Sequence, residues 1–156
     1  MKLSILIPAY NESKTILGII KRIQNVDLGE IEKELIIIDD FSTDGTREIL
    51  KSMEDDKIKV LFSEKNFGKG HSIVKGMNFA TGDLIIIQDA DFEYNPDDYP
   101  KLLRPILDGR TNVVYGSLFL GNNQIPKTKF YFGNNFLSLL TSVLYFSKIT
   151  DMETCY

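Results

Sequence analysis

The chain has 156 residues, 43% of them hydrophobic, which suits one domain with a substantial core and excludes a disordered chain. A formal net charge of −4 opposes bulk nucleic-acid binding, which needs a basic face to displace counterions, but it admits a small anionic ligand held through a metal. One cysteine, Cys155, excludes an internal disulfide framework and fits a reducing compartment, with an inert apolar role as its simplest use.

Leu3 to Ile7 reads as a first strand, and its single leading lysine and short apolar run before Pro8 are too little for a signal peptide. Ile16, Leu17, Ile19, Ile20 and Ile23 then recur at helical spacing, with Asn11 placed as an N-cap. Leu35 to Ile38 is a second strand, followed by the polar turn Asp39 to Gly45 and a helix through Ile49, Leu50 and Met53. Ile58 to Phe62 is a third, followed by Asn66 to Gly70 and a helix carrying Ile73, Val74, Met77 and Ala80. Leu84 to Gln88 is a fourth, Tyr99 to Leu107 the next helix, and Val113 to Tyr115 a fifth strand. Phe130 to Ile149 reads as a further helical segment; its most apolar part, Phe136 to Phe146, is about half the roughly 20 residues that span a bilayer. Strands apolar on both faces, separated by helices, indicate an α/β fold with a mostly parallel sheet covered on both sides.

In such a sheet every strand-to-helix loop emerges at the strands' carboxyl edge, where ligands bind. Four polar clusters fall there: Pro8 to Glu12, Asp39 to Gly45, Lys65 to Gly70 and Asp89-Ala90-Asp91. The last places two carboxylates at a strand tip with one small residue between them. Their mutual repulsion is relieved most readily by a hard cation such as Mg²⁺ or Mn²⁺, which in turn would hold a polyanion.

The Asp39 to Gly45 segment has the composition of an ordinary turn with a helix cap. Two adjacent acids exceed what a cap needs, however, and a carboxylate in the cleft can accept from a base N–H or a ribose hydroxyl. Gly68-Lys69-Gly70 is not a Walker loop, because Ser63 stands where the first glycine belongs and Gly70 where Ser or Thr belongs. It is not a dinucleotide fingerprint either, since Ile73 replaces the third glycine and the loop follows the third strand. Lys69 at a helix start can assist an anion or simply be solvated. His71, the only histidine, reads as structural.

Taken together, Ile7-Pro8-Ala9-Tyr10-Asn11-Glu12, Ile38-Asp39-Asp40-Phe41-Ser42-Thr43-Asp44-Gly45, Asn66-Phe67-Gly68-Lys69-Gly70 and Gln88-Asp89-Ala90-Asp91-Phe92-Glu93-Tyr94-Asn95-Pro96 resemble the family 2 glycosyltransferases of GT-A fold. The nearest resemblance is to polyprenyl-phosphate and dolichyl-phosphate mannosyl- and glucosyltransferases, with Val114 to Ser117 and Thr150 to Tyr156 as further landmarks. The resemblance implies that Pro8, Tyr10 and Glu12 hold the nucleotide, that Ile38 and Asp40 contact base and ribose, and that Ala90 packs beside the sugar nucleotide. Asp89, Asp91 and Glu93 match metal-ligand positions, the last commonly a glutamine in relatives. Asp151 aligns with an acid suggested as a base, or serves as a turn carboxylate.

The implied chemistry is an inverting hexosyl transfer from a nucleotide sugar of GDP-mannose or UDP-glucose type to polyprenyl or dolichyl phosphate. It implies a peripheral protein at the cytoplasmic face of a membrane, with oligomerisation possible. Two positions depart from the pattern. Leu118 stands where relatives usually place an arginine, with Lys127 or Lys129 as substitutes. Residues 1–156 read as one GT-A domain whose C-terminus stops inside a motif, as if truncated. A cell-surface polysaccharide acceptor, or a catalytically silent sugar-nucleotide-binding module, are the alternatives.

Overall fold

The computed structural model describes residues 1–53, 55–117, 129–146, 150, 151 and 154, with side chains in the last helix from residue 133 onward. Its packing forms two units, residues 1–101 and 102–156.

The first unit is built on four parallel strands, β1 (Lys2–Ala9), β2 (Glu32–Asp39), β3 (Ile58–Phe62) and β4 (Leu84–Ile87), in the order β3-β2-β1-β4. Between them run α1 (Ile16–Asn25), α2 (Thr46–Lys51) and α3 (Lys69–Met77). Successive side chains on a strand point to opposite faces, and here both sets are buried: Leu6, Ile36 and Ile38 on one, Ile5, Ile7, Leu35 and Ile37 on the other. The first set packs with Leu61, Ile73 and Ala80. At Gly76 of α3 an added Cβ would lie 2.7 Å from Ile38 Cδ1, so the glycine lets the helix approach the sheet closely.

Register fixes where the loops begin. Ala9 pairs with Asp39, Asp39 with Phe62, and Leu6 with Ile87. All four strands therefore end at one edge, and four loops leave from it together.

α1 buries Ile16, Ile19, Ile20 and Ile23 as their spacing implies, but its N-cap is Thr15. Asn11 is instead a left-handed loop residue, φ 58°, whose Oδ1 accepts from Thr43 N–H at 2.8 Å. A short polar side chain tolerates that conformation better than most residues, and its hydrogen bond ties two loops together.

The helix α4 (Tyr99–Leu107) begins in the first unit and continues into the second. Residues 113–115 of the second unit form no strand, contrary to the apolar pattern of Val113 to Tyr115. Val113 bonds to Thr111 Oγ1 through its N–H and accepts that hydroxyl at its carbonyl, a local alternative to a ladder, and it remains 61% exposed. α5 (Lys129–Leu144) follows, and no helix among the described residues is long and apolar enough to cross a membrane. Positions 118, 127, 152, 153, 155 and 156 lie outside the described residues, and with them the Leu118 departure and its Lys127 substitute.

Candidate functional site

The carboxyl edge of the sheet carries a cleft of about 370 Å³ lined by residues from all four loops, among them Pro8, Tyr10, Glu12, Asp40, Lys69, Asp89, Ala90 and Asp91. Those eight are sequence-proposed site residues gathered in one place. Ile38 is wholly buried in the core, Glu93 is exposed and off the cleft wall, and Asp151 belongs to the second unit.

The first two loops are laced together by side chain to backbone bonds. Asn11 N–H donates to Ser42 Oγ at 2.9 Å, Glu12 N–H to Thr46 Oγ1 at 2.8 Å, and Ser13 N–H to Asp44 Oδ2 at 3.0 Å. Asp44 also accepts from Thr46 N–H and Oγ1. Burial pushes the Asp44 carboxyl up, but the bonds from Thr46 and Ser13 outweigh it and hold it well below the usual carboxylate range. Local polar partners thus stiffen a wall whose own backbone is irregular.

The paired acids after β2 have separate tasks. Asp39 is fully buried; Arg47 Nε lies 3.2 Å from its Oδ2, and Ser42 N–H reaches its carboxylate at 3.3 Å. Arg47 in turn donates to Ser63 O and lies over the rings of Phe41 and Phe62. Asp39 therefore holds loops in place. Asp40 faces the cleft and bonds to the third loop, accepting from Phe67 N–H at 3.0 and 3.1 Å and Gly68 N–H at 2.7 Å. These N–H groups stand at the start of α3, where a negative charge is favoured by the helix dipole. Neither acid caps α2, whose N-cap is Gly45 at φ 102°.

The fourth loop is positioned by Gln88, the strand-end residue that opens the Gln88 to Pro96 motif and to which the sequence assigned no role of its own. It is fully buried; its Nε2 donates to Asp89 O at 3.1 Å and Tyr94 O at 3.2 Å, and its Oε1 accepts from Tyr99 Oη at 2.8 Å. A glutamine at the end of an apolar run was the available signal, because a buried amide must find partners. Within the loop, Asp91 Oδ1 accepts from Glu93 N–H at 2.9 Å. Lys69 Nζ lies 2.5 Å from Asp89 Oδ1.

Among the described residues no three His, Cys, Asp or Glu side chains form a metal-holding group, so the expected trio of Asp89, Asp91 and Glu93 is not assembled. Asp89 and Asp91 do share the cleft wall. Two hard carboxylates fit Mg²⁺ or Mn²⁺ that takes its remaining oxygens from a phosphate ligand and water, as such ions commonly do. A cation, the Lys69 ammonium, already stands on one of them.

In the second unit, Asp151 is buried and accepts from Asn134 Nδ2 at 2.7 Å, while Ser138 Oγ donates to Asn134 Oδ1 at 3.2 Å. On the same helix Phe136, Leu139, Val143 and Leu144 are exposed.

A sequence profile described as Glycosyl transferase family 2 matches residues 4–152. The dolichol-phosphate mannosyltransferase of Pyrococcus furiosus is 30% identical over 132 residues, 84% of this chain and 37% of that protein. The UDP-N-acetylglucosamine–dolichyl-phosphate N-acetylglucosaminyltransferase of Methanococcus voltae is 31% identical over 96% of this chain and 66% of its own length. The chain thus spans about a third to two thirds of these curated relatives. A crystal structure of glucosyl-3-phosphoglycerate synthase from Mycobacterium tuberculosis, in complex with Mn²⁺, uridine diphosphate and glucosyl-3-phosphoglycerate, matches with TM-score 0.55. It is 28% identical, over 68% of this chain and 39% of that one.

Proposed function

The chain belongs to glycosyl transferase family 2 and has its GT-A fold, and on that premise we propose that the cleft binds a nucleotide-sugar donor whose hexose passes to a polyprenyl or dolichyl phosphate. The observation that carries the reading is the convergence of Pro8, Tyr10, Glu12, Asp40, Lys69, Asp89, Ala90 and Asp91 from four loops onto one cleft. The donor's nucleoside lies against the first two loops in this reading. Asp40 keeps acceptor capacity beyond its two amide donors, because an ionised carboxylate has about four lone-pair sites, and it takes a hydroxyl or base N–H there.

Asp89 and Asp91 would hold a divalent ion, which supplies charge neutralisation to the departing diphosphate. Ala90 leaves room for the donor between them. The bond from the anomeric carbon to the diphosphate oxygen breaks as an acceptor oxygen bonds to that carbon from the opposite face, so the configuration inverts. A lipid phosphate is ionised at neutral pH and attacks without a base. The lipid acceptor is supported by the two dolichyl-phosphate relatives and by the exposed apolar side chains of α5, which suit a membrane surface.

Calorimetry with GDP-mannose and UDP-glucose, with and without Mn²⁺, tests the donor half. One of them binds, and binding falls when metal is chelated or Asp91 is replaced by alanine. Binding indifferent to both changes refutes the metal-bridged reading. Turnover on a short polyprenyl phosphate then tests the acceptor half, and tight donor binding without turnover favours a silent binding module.

A further inference from the structure

Lys69 opens α3 on the cleft wall, and its ammonium reaches Asp89 of a loop twenty residues further along the chain. The lysine side chain is 52% exposed and the aspartate 20% exposed, so an ammonium that could stay in water is fixed inside the cleft. Fixing a long side chain sacrifices rotamer freedom, and the gain that offsets it is the charge of Asp89. The other acids on this wall are otherwise engaged: Thr15 Oγ1 donates to Glu12, two amides donate to Asp40, and Glu93 N–H donates to Asp91. Among the described residues, Asp89 is the acid of this wall with a side-chain cation at ion-pair distance.

The same Asp89 oxygen is one that a divalent ion would need. Ammonium and ion are alternatives there, since two cations on one carboxylate oxygen repel each other. An ion arriving alone must displace Lys69 and then sits beside its charge. An ion arriving with a nucleoside diphosphate meets no such penalty, because the lysine transfers to a phosphate oxygen in the same cleft. We propose that Lys69 is an internal counter-ion that competes with the divalent cation for Asp89 and moves to the donor's diphosphate, making metal and nucleotide binding mutually dependent. The inference rests on the donor reading above. Linkage makes the dependence reciprocal: whatever factor the nucleotide adds to metal affinity, the metal adds to nucleotide affinity.

The test is Mn²⁺ binding to the 156-residue chain, followed by electron paramagnetic resonance of the free ion, alone and with saturating UDP or GDP. Lys69→Met keeps the stem and removes the charge; Lys69→Arg keeps the charge. The methionine variant is expected to bind Mn²⁺ alone about fivefold more tightly, the upper range for breaking an exposed ion pair. Its nucleotide-induced gain in Mn²⁺ affinity shrinks, and the arginine variant retains the wild-type coupling. A methionine variant that matches wild type in both quantities overturns the counter-ion role while the donor reading stands. A wild-type chain whose Mn²⁺ affinity neither nucleotide alters overturns the donor reading and the coupling with it. Superimposable thermal melts of the three proteins exclude misfolding as the cause.

Discussion

Asp40→Asn perturbs both the loop-holding role of one carboxylate and the ligand-holding role proposed for it. In the folded chain both oxygens accept from Phe67 N–H, and Oδ2 also accepts from Gly68 N–H at 2.7 Å. An asparagine has one acceptor oxygen, so one amide keeps a neutral bond and the other faces an NH₂ donor. Bonds to an ionised acceptor contribute about 1.5–3 kcal/mol each and neutral ones about 1. Losing one outright and weakening the other therefore destabilises the chain by about 2–5 kcal/mol. Urea unfolding followed by circular dichroism reads this directly, since the chain has no tryptophan to report it. Nucleotide affinity falls in parallel, because Asn66, Gly68 and Lys69 line the cleft on the loop that Asp40 holds. A stability change under about 0.5 kcal/mol would refute the assignment, as the bonds would then be no better than those to water.

Two further perturbations follow from polar groups with several hydrogen bonds, the half-buried Glu34 and the buried Gln88. Glu34 accepts from Ser4 Oγ at 2.5 Å and Thr81 N–H at 2.6 Å and pairs with Lys2. Burial raises its pKa, but the bonds from Lys2, Ser4 and Thr81 outweigh this and bring it from 4.5 to about 2. Because the folded value is depressed, its stabilisation is complete above about 4.5 and is lost as pH falls toward about 2. The shift sets a ceiling of roughly 3 kcal/mol, which screening at Lys2, whose side chain is 35% exposed, reduces to about 1–2. Glu34→Gln should flatten the stability profile between about pH 5 and about pH 3 relative to wild type; an unchanged slope would count against the network. Gln88→Leu removes the amide beneath Asp89 and Tyr94 and the acceptor of Tyr99 Oη, for an expected loss of about 2–4 kcal/mol in urea unfolding. Mn²⁺ affinity drops as well, and a variant with wild-type Mn²⁺ affinity would show that Gln88 does not position the carboxylates.

The strands were legible where hydrophobicity alone defines them. β3 coincides with Ile58 to Phe62, while β1 and β2 extend outward to Lys2, Glu32 and Asp39, residues held by the ladder and not by apolar burial. Val113 to Tyr115 misled because an apolar triplet carries no information about a partner strand. The cleft was legible for a topological reason: parallel strands put every following loop on one edge. Which acid does what was not legible from composition and spacing, and only the family resemblance singled out Asp40. Asp39 and Asp40 are adjacent and chemically identical, yet one meets Arg47 and the other two amides of the third loop. Those partners are selected by strand register, a non-local property. The roles of Asn11, Gln88 and the Lys69 to Asp89 pair were hidden in the same way.

Register also gives the cleft its electrical character. Among the described residues its lining has four carboxylates, Glu12, Asp40, Asp89 and Asp91, against Lys69. A nucleoside diphosphate entering that wall alone meets net repulsion. At an effective dielectric of about 20 and a separation of roughly 8 Å, each unit charge pair contributes about 2 kcal/mol. For each unit of negative charge on the diphosphate, a divalent ion on Asp89 and Asp91 adds two units of attraction, about 4 kcal/mol before desolvation, which is a factor on the order of 10³ in affinity. Metal dependence on this view does not require the ion to do anything special to the bond that breaks. It follows from an acidic cleft receiving an anion, and the Lys69 ammonium alone supplies too little charge to replace it.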